Sequence, residues 1–264
     1  MTSAASTPRA AASAPRPLVP HPPLTAYYAD EAARHVWLRE VFDSTAVDYE
    51  RVEAMVGLGT GPWYRGQALQ RAGVTRGMRV LDVGIGTGLT ARAAIDLVGD
   101  AALVTGVDPS PGMRAQAKLP DSVRILSGRA EQLPVEGAAF DVVTLGFALR
   151  HVSDIDAALA EFHRVLVPGG RICILEMTRP QGRLLRGWMK LYMRRIVPLL
   201  ARVFGRTRDL PKLMRYNWDT IEACVPPEQV VGAMSAAGFV DAARHVEIGM
   251  FSEYTARKAF APAP

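Results

Sequence analysis

The chain has 264 residues, enough to bury a continuous apolar core in one large domain with appendages. Hydrophobic residues make up 49% and charged residues 22%, the balance of a folded globular protein, and no apolar run reaches the roughly 18 residues that a membrane-spanning helix needs. The net charge of +5 matters only through where it sits, and Cys173 and Cys224 stand too far apart in sequence for a zinc site or a disulfide framework, so a reducing compartment fits and both read as packing residues.

Residues 1–25 are rich in Ala, Ser and Pro, carry no acid and show no apolar period, and they read as a disordered tail. A single domain is then expected over 26–264. It opens on a helical segment over 26–77, with Val36, Leu38, Val41 and Phe42 and then Val52, Met55 and Val56 at helical spacing, broken by Gly57 to Pro62. Strands and helices alternate after that: RVLDV, LTARAAIDLV, ALVTGV, MRAQAK, VRIL, FDVVTL, a helix from about Ile155 to Leu166, and RICILEM. Pro168-Gly169-Gly170 is expected to separate that helix from the next strand. The stretch over about 179–222 is too long for a simple crossover and reads as a helical insertion. FVDAARHVEI and MFSEYTARKA complete the pattern as an antiparallel edge hairpin. The expected architecture is α/β and Rossmann-like: a mostly parallel seven-stranded sheet with helices on both faces.

The sharpest local signal is the strand Val80–Val83 running into Gly84, Gly86 and Gly88 and then directly into a helix. Dinucleotide-binding turns space their glycines G-x-G-x-x-G and set a pyrophosphate on the helix N-terminus. Here the spacing is G-x-G-x-G, and Asp82 precedes the loop. A carboxylate there repels a pyrophosphate and suits the ammonium of an amino-acid moiety, directly or through water, which favours S-adenosylmethionine over NAD. Asp108 stands 20 residues after Gly88 at the end of the next strand, where a carboxylate can accept from both ribose hydroxyls. Met113 can lay its thioether on an adenine face or simply pack.

With LDVGIGTG, GVDPSPGM, GRAEQLPVEGAAFDVVTLGFALRHVSD and AALAEFHRVLVPGGRICILEMTRP in view, the chain resembles the UbiE-type C-methyltransferases of ubiquinone and menaquinone biosynthesis. The resemblance runs from about Val41 to Lys258 and takes in the less generic FDSTAVDYERVEAMVGLGTGPWYRGQAL and YNWDTIEACVPPEQVVGAMSAAGF. It implies a class I S-adenosylmethionine-dependent methyltransferase in which Asp82, Gly84, Gly86 and Gly88 hold the methionine part and Asp108 the ribose. By the same resemblance, Ala130 meets adenine through its backbone, and Tyr49 and the Gly59 region close over the cofactor. Arg150 matches an arginine at the reaction centre of quinone-methylating members. Three positions depart from the family pattern: Arg129 replaces an acid, with Glu131 nearby; His151 replaces an Asn; and Val135 replaces an aromatic.

Methyl transfer is an in-line displacement that needs alignment and dryness rather than a metal. Methylating a ring carbon of a quinol also needs a base, and the two catalytic candidates are Arg150 and His151: the imidazole as a base, the guanidinium as a phenolate partner or water holder. A structural alternative has His151 packing and Arg150 pairing with Asp154. Other functions stay open at this point: O- or N-methylation of another small molecule, a variant chemistry of the rhodoquinone type, or a cofactor-binding accessory protein without turnover. The expected partner is a small quinol-like or aromatic acceptor, with no nucleic acid, and the expected location is the cytoplasm. Within 183–206, Arg183, Arg186, Lys190 and Arg194 fall along one side of a helix among Leu184, Trp188 and Tyr192, a pattern that suits an anionic membrane surface at the inner face or an ordinary solvated lid.

Overall fold

The computed structural model describes residues 17–57 and 59–260. Five strands follow the apolar runs in parallel: β1 (Val80–Val83), β2 (Val104–Val107), β3 (Arg124–Leu126), β4 (Phe140–Gly146) and β5 (Leu166–Met177). They are joined by β6 (Phe239–Glu247) and β7 (Phe251–Lys258) in one seven-stranded sheet of order β3-β2-β1-β4-β5-β7-β6, with β7 antiparallel to both its neighbours. The strand order reverses between β1 and β4, and in such sheets the crevice at the strands' carboxyl ends is where ligands bind.

Side chains alternate across this sheet with the strand period of two. Leu81, Val83, Val143, Leu145, Ile172 and Ile174 pack on one face with α5 (Ile155–Val165) and α9 (Pro227–Ala236). Val80, Val142, Cys173 and Leu175 pack on the other with α2 (Gly61–Arg71) and α3 (Leu89–Val98). Both faces are covered, which is why the parallel strands read as near-continuous apolar runs. Burial pushes the Cys173 and Cys224 thiols up to about 12, so neither is poised as a nucleophile.

A third cluster lies over the carboxyl edge of the sheet. It joins α1 (Glu31–Val56) to the insertion, which folds as α6 (Arg183–Leu191), a π turn at Tyr192–Ile196, α7 (Val197–Phe204) and α8 (Leu210–Ala223). Asp30 caps α1 by accepting from the Ala33 N–H at 2.8 Å, and the glycine-rich break separates α1 from α2 as the sequence predicts.

Three boundaries differ from the sequence reading. Residues 1–16 of the expected tail lie outside the described residues, but its last part is docked: the Leu18 carbonyl accepts from the Ile155 N–H, the Pro20 carbonyl accepts from the Val225 N–H, and His21 is buried. The helix expected over MRAQAK begins earlier, as α4 (Pro111–Ala115), because the Ser110 hydroxyl caps it at Met113 N–H and Pro111 supplies a ready-made first turn. Pro120 then disfavours helix at Leu119. Finally, Leu166 already pairs with Phe140, and Pro168-Gly169-Gly170 forms an irregularity inside β5, with Gly169 at φ +81°, before the ladder resumes at Arg171.

Candidate active site

A cavity of about 370 Å³ opens at the carboxyl ends of β1, β2 and β4 beneath α1. Of the ten site residues expected from sequence, seven line it: Tyr49, Gly84, Gly86, Asp108, Met113, Ala130 and His151. Asp82, Gly88 and Arg150 do not, for three different reasons.

Asp82 lies under the glycine loop and is almost fully buried. Its Oδ1 accepts from the Thr144 hydroxyl at 2.7 Å, while its Oδ2 has no partner. Burial pushes the carboxyl up to about 7, the Thr144 hydrogen bond opposing. Gly88 starts α3 with φ at +91°, and a Cβ there would meet the Leu119 side chain at 2.9 Å. Its glycine is demanded by backbone geometry and by that wall. A Cβ at Gly86, by contrast, would meet only the Gly84 carbonyl at 3.9 Å, so the space above it is open to a ligand.

Asp108 directly follows β2, with each oxygen accepting one backbone N–H, from Ser110 at 2.8 Å and from Gly86 at 2.9 Å. These bonds fix the carboxylate and tie the glycine loop to β2. An ionised carboxylate has about four acceptor positions, so about two remain for ribose hydroxyls. Burial raises its pKa, the two backbone N–H groups opposing. The donor set therefore fits an amino-acid nucleoside: an unsatisfied buried carboxylate oxygen at one end, a fixed carboxylate with spare acceptors at the other, and open backbone between.

The roof is held by residues that sequence reasoning missed. Asp43 on α1 accepts from the Ser110 hydroxyl at 2.5 Å and the Gly112 N–H at 2.8 Å. A Cβ on Gly112 would lie 2.7 Å from the Asp43 Cα, so α1 can approach this closely only over glycine. Glu50 adds an ion pair to Arg92 at 2.8 Å. The GVDPSPGM motif supplies half of this latch, but Asp43, 67 residues before Ser110, carries no local signal.

Arg150, expected at the reaction centre, does not line the cavity and is held by partners inside the protein. Its guanidinium turns into the protein, pairs with Glu176 of β5 and donates to the Phe147 carbonyl at 3.0 Å, while its own N–H donates to Glu176 at 3.2 Å. Both side chains are buried. The partner is Glu176 rather than Asp154, which instead caps α5 through the Ala157 N–H.

His151 does face the cavity, at the end of a 3₁₀ turn over Leu149–His151. Its ring stacks on Tyr216 of α8 with centroids 5.7 Å apart, and meets Phe42 of α1 edge-on at 5.3 Å. Its Nδ1 has no partner. Burial, then the charges of Arg150 and Arg34, hold its pKa well below the usual 6.5, so the imidazole is neutral at physiological pH.

At the cavity mouth Arg129 donates to the Ser153 hydroxyl at 2.9 Å and approaches a ring nitrogen of His35 at 2.9 Å. Glu131 also lines the cavity, but one oxygen accepts from the Ser153 N–H and the other lies 3.6 Å from the Arg129 Nε. Val135 packs against the main core rather than lining the cavity.

The insertion shows a further departure from its sequence reading. Arg186 and Lys190 pair with Glu222 at 2.9 and 3.2 Å, and Arg194 lies 3.6 Å from Asp219. Three of the four aligned basic residues thus face α8 acids rather than forming a free basic stripe.

The sequence profile of the ubiE/COQ5 methyltransferase family matches residues 29–258. The demethylmenaquinone methyltransferase of Lactococcus lactis subsp. lactis is 33% identical over 187 residues, 69% of this chain and 72% of that protein. That of Staphylococcus aureus is 31% identical over 194 residues, 72% of this chain and 78% of that protein. Among solved structures, a SAM-dependent methyltransferase from Thermotoga maritima superposes with a TM-score of 0.58 at 20% identity, covering 83% of this chain and 99% of its own, which speaks for the fold alone. The chain therefore belongs to the ubiE/COQ5 methyltransferase family and is a methyltransferase whose cofactor is S-adenosylmethionine.

Proposed function

We propose that this enzyme methylates a ring carbon of a quinol-like, lipophilic acceptor, with His151 as the base. The observation that carries this reading is the neutral imidazole in the cavity wall, with an unpartnered Nδ1, held between Phe42 and Tyr216. Bound S-adenosylmethionine supplies an electrophilic methyl group for in-line displacement. Asp82 holds the cofactor's ammonium, Asp108 its ribose, Met113 and the Ala130 backbone its adenine, and Tyr49 with α1 closes over it. The glycine loop contributes its backbone and the space above Gly86.

His151 takes the phenolic proton of the acceptor, which raises electron density on the ring carbon facing the methyl group. Once the new C–C bond has formed, that carbon still carries its own hydrogen, and a base must remove this proton to restore aromaticity. His151 can do so only after passing the first proton to solvent or back to the acceptor oxygen, which is a dienone carbonyl once the ring carbon is methylated. Phe42 lines the cavity and offers an aromatic ring suited to a flat acceptor, while Tyr216 backs the His151 ring from behind. Arg150 acts through structure: its pair with Glu176 fixes the turn that presents His151. We place the enzyme in the cytoplasm, meeting its acceptor at the inner face of the membrane.

The relatives named demethylmenaquinone methyltransferases support the acceptor class. The test is an assay with demethylated benzoquinols and naphthoquinols of increasing tail length, following both products by mass spectrometry. Stoichiometric S-adenosylhomocysteine and a product heavier by one methyl group are expected. Turnover confined to amines or isolated hydroxyl groups would replace this reading with N- or O-methylation. Cofactor binding without turnover on any acceptor would point to an accessory role.

A further inference from the structure

From Arg183 to Arg208 the chain carries eight Arg or Lys residues and no acid. Three of these cations are used internally on Glu222 and Asp219, as described above. Arg195, Arg202, Arg206 and Arg208, with Arg215 of α8, are exposed, and among the described residues none of their side chains has a carboxylate within ion-pair distance. These five line one groove beside Pro198, Leu199 and Pro211; Arg195 and Arg215 also line an adjoining hollow with Leu191. Arginine forks are well matched to phosphate oxygens, and guanidinium groups gathered without counter-charge repel one another until an anion joins them.

The same helix exposes a row of large apolar side chains at spacings of three, four and eight: Leu184, Trp188, Leu191 and Leu199, with Val203 four further on. Leu184 is 92% and Leu199 60% exposed, while Met193, Val197 and Ala201 of the opposite side are buried against α1 and α8. An exposed apolar row of this size is unusual unless something covers it. Among the described residues no helix is long and apolar enough to cross a membrane, so contact from the surface is the mode this segment offers.

We infer that this face docks on a bilayer of anionic phospholipid, the five arginines holding lipid phosphates while Leu184, Trp188, Leu191, Leu199 and Val203 enter the acyl boundary. A tryptophan beside basic residues is the side-chain mixture that partitions to that depth. Nucleic acid would use the arginines but leave the apolar row in water. The surface deepens the lipophilic-acceptor reading and rests on it only for its purpose. Tyr216 of α8, which stacks on His151, belongs to the same helical cluster, so docking would bring the acceptor end of the cavity to the membrane.

The test is co-sedimentation of the full chain with vesicles of phosphatidylglycerol and phosphatidylcholine, and with phosphatidylcholine alone. Binding should require phosphatidylglycerol. Replacing Arg195, Arg202, Arg206, Arg208 and Arg215 with Gln should weaken it by about three to four orders of magnitude, at roughly fivefold per cation. Leu184→Ser with Trp188→Ser and Leu191→Ser should weaken it independently, whereas Arg186→Gln with Lys190→Gln, already paired, should do far less. Both disruptive variants should keep full turnover on a tail-less, water-soluble quinol. Equal vesicle binding by wild type and both disruptive variants overturns the docking surface, as does retention on DNA or RNA without vesicle binding. Loss of vesicle binding in the variants, with no quinol methylated by wild type, would instead uphold the surface and remove the acceptor reading.

Discussion

The ends of this cavity that we assign to cofactor and acceptor are built differently. At the cofactor end, β1, the glycine loop and the end of β2 lie within one stretch of chain, and strand carboxyl ends position Asp82 and Asp108 directly. At the acceptor end, His151 from a 3₁₀ turn, Phe42 from α1 and Tyr216 from α8 meet from segments far apart in sequence. The first end is fixed by backbone hydrogen bonds, the second by packing of aromatic rings. A shared fold can therefore keep its cofactor while its acceptor changes, since only the second end depends on inserted helices.

The largest effect that would break this comparison belongs to His151. His151→Ala should lower kcat by about 10²–10⁴-fold with cofactor affinity unchanged, the range for a lost general base. A base works in its neutral form, and burial with neighbouring arginines holds this pKa well below 6.5. At saturating cofactor, wild-type kcat/KM for the acceptor should therefore stay level as pH falls to 6.5 and decline only as pH passes through the lowered value. A normal rate in His151→Ala would return this residue to packing.

Arg150 should behave in the opposite way. Arg150→Met leaves Glu176 buried without its partner, and such a change costs about 3–5 kcal/mol of unfolding free energy, read as a lower denaturant midpoint. A collapsed kcat with unchanged stability would place the guanidinium back in the chemistry.

These two neighbours show where sequence is informative. Position on a strand-to-helix corner at the carboxyl edge was legible for both, because strand order follows from apolar periodicity. Side-chain direction was not, because Glu176 lies on a strand 26 residues later and nothing local marks the pair. Likewise, the sheet and the glycine loop were readable from period and spacing, whereas Asp43 became visible only when α1 was seen crossing Gly112. In the insertion, helical spacing brought Arg186, Lys190 and Arg194 to a common side, but Glu222 and Asp219, on a different helix, decided what that side faces.

At the cofactor end the effects are smaller and thermodynamic. Asp108→Ala should weaken S-adenosylmethionine binding by about 1.5–3 kcal/mol in calorimetry, the worth of hydrogen bonds to an ionised partner. Unchanged affinity in a folded variant would remove the ribose assignment.

Asp82 supplies the mildest prediction and the sharpest signature. Its carboxyl sits at about 7, above the ordinary 3.8, because burial penalises the charge. In the cofactor-free protein its contribution to stability is thus full below 3.8 and is lost as pH rises through about 7. A cofactor ammonium favours the ionised form. Binding should therefore tighten roughly tenfold between about pH 5.5 and 7, below the range where an α-amino group loses its own proton. Asp82→Asn should abolish that slope, and a wild-type affinity that does not vary with pH would detach Asp82 from the ammonium.

The most direct test of the central claim is to follow the methyl group itself. The enzyme would be given S-adenosylmethionine carrying a ¹³C-labelled methyl group and a demethylated quinol, and the product examined by carbon and proton NMR. Methylation of a ring carbon predicts a labelled methyl resonance coupled to ring carbons, with one ring proton lost. A labelled methoxy or N-methyl resonance, with every ring proton retained, would contradict it.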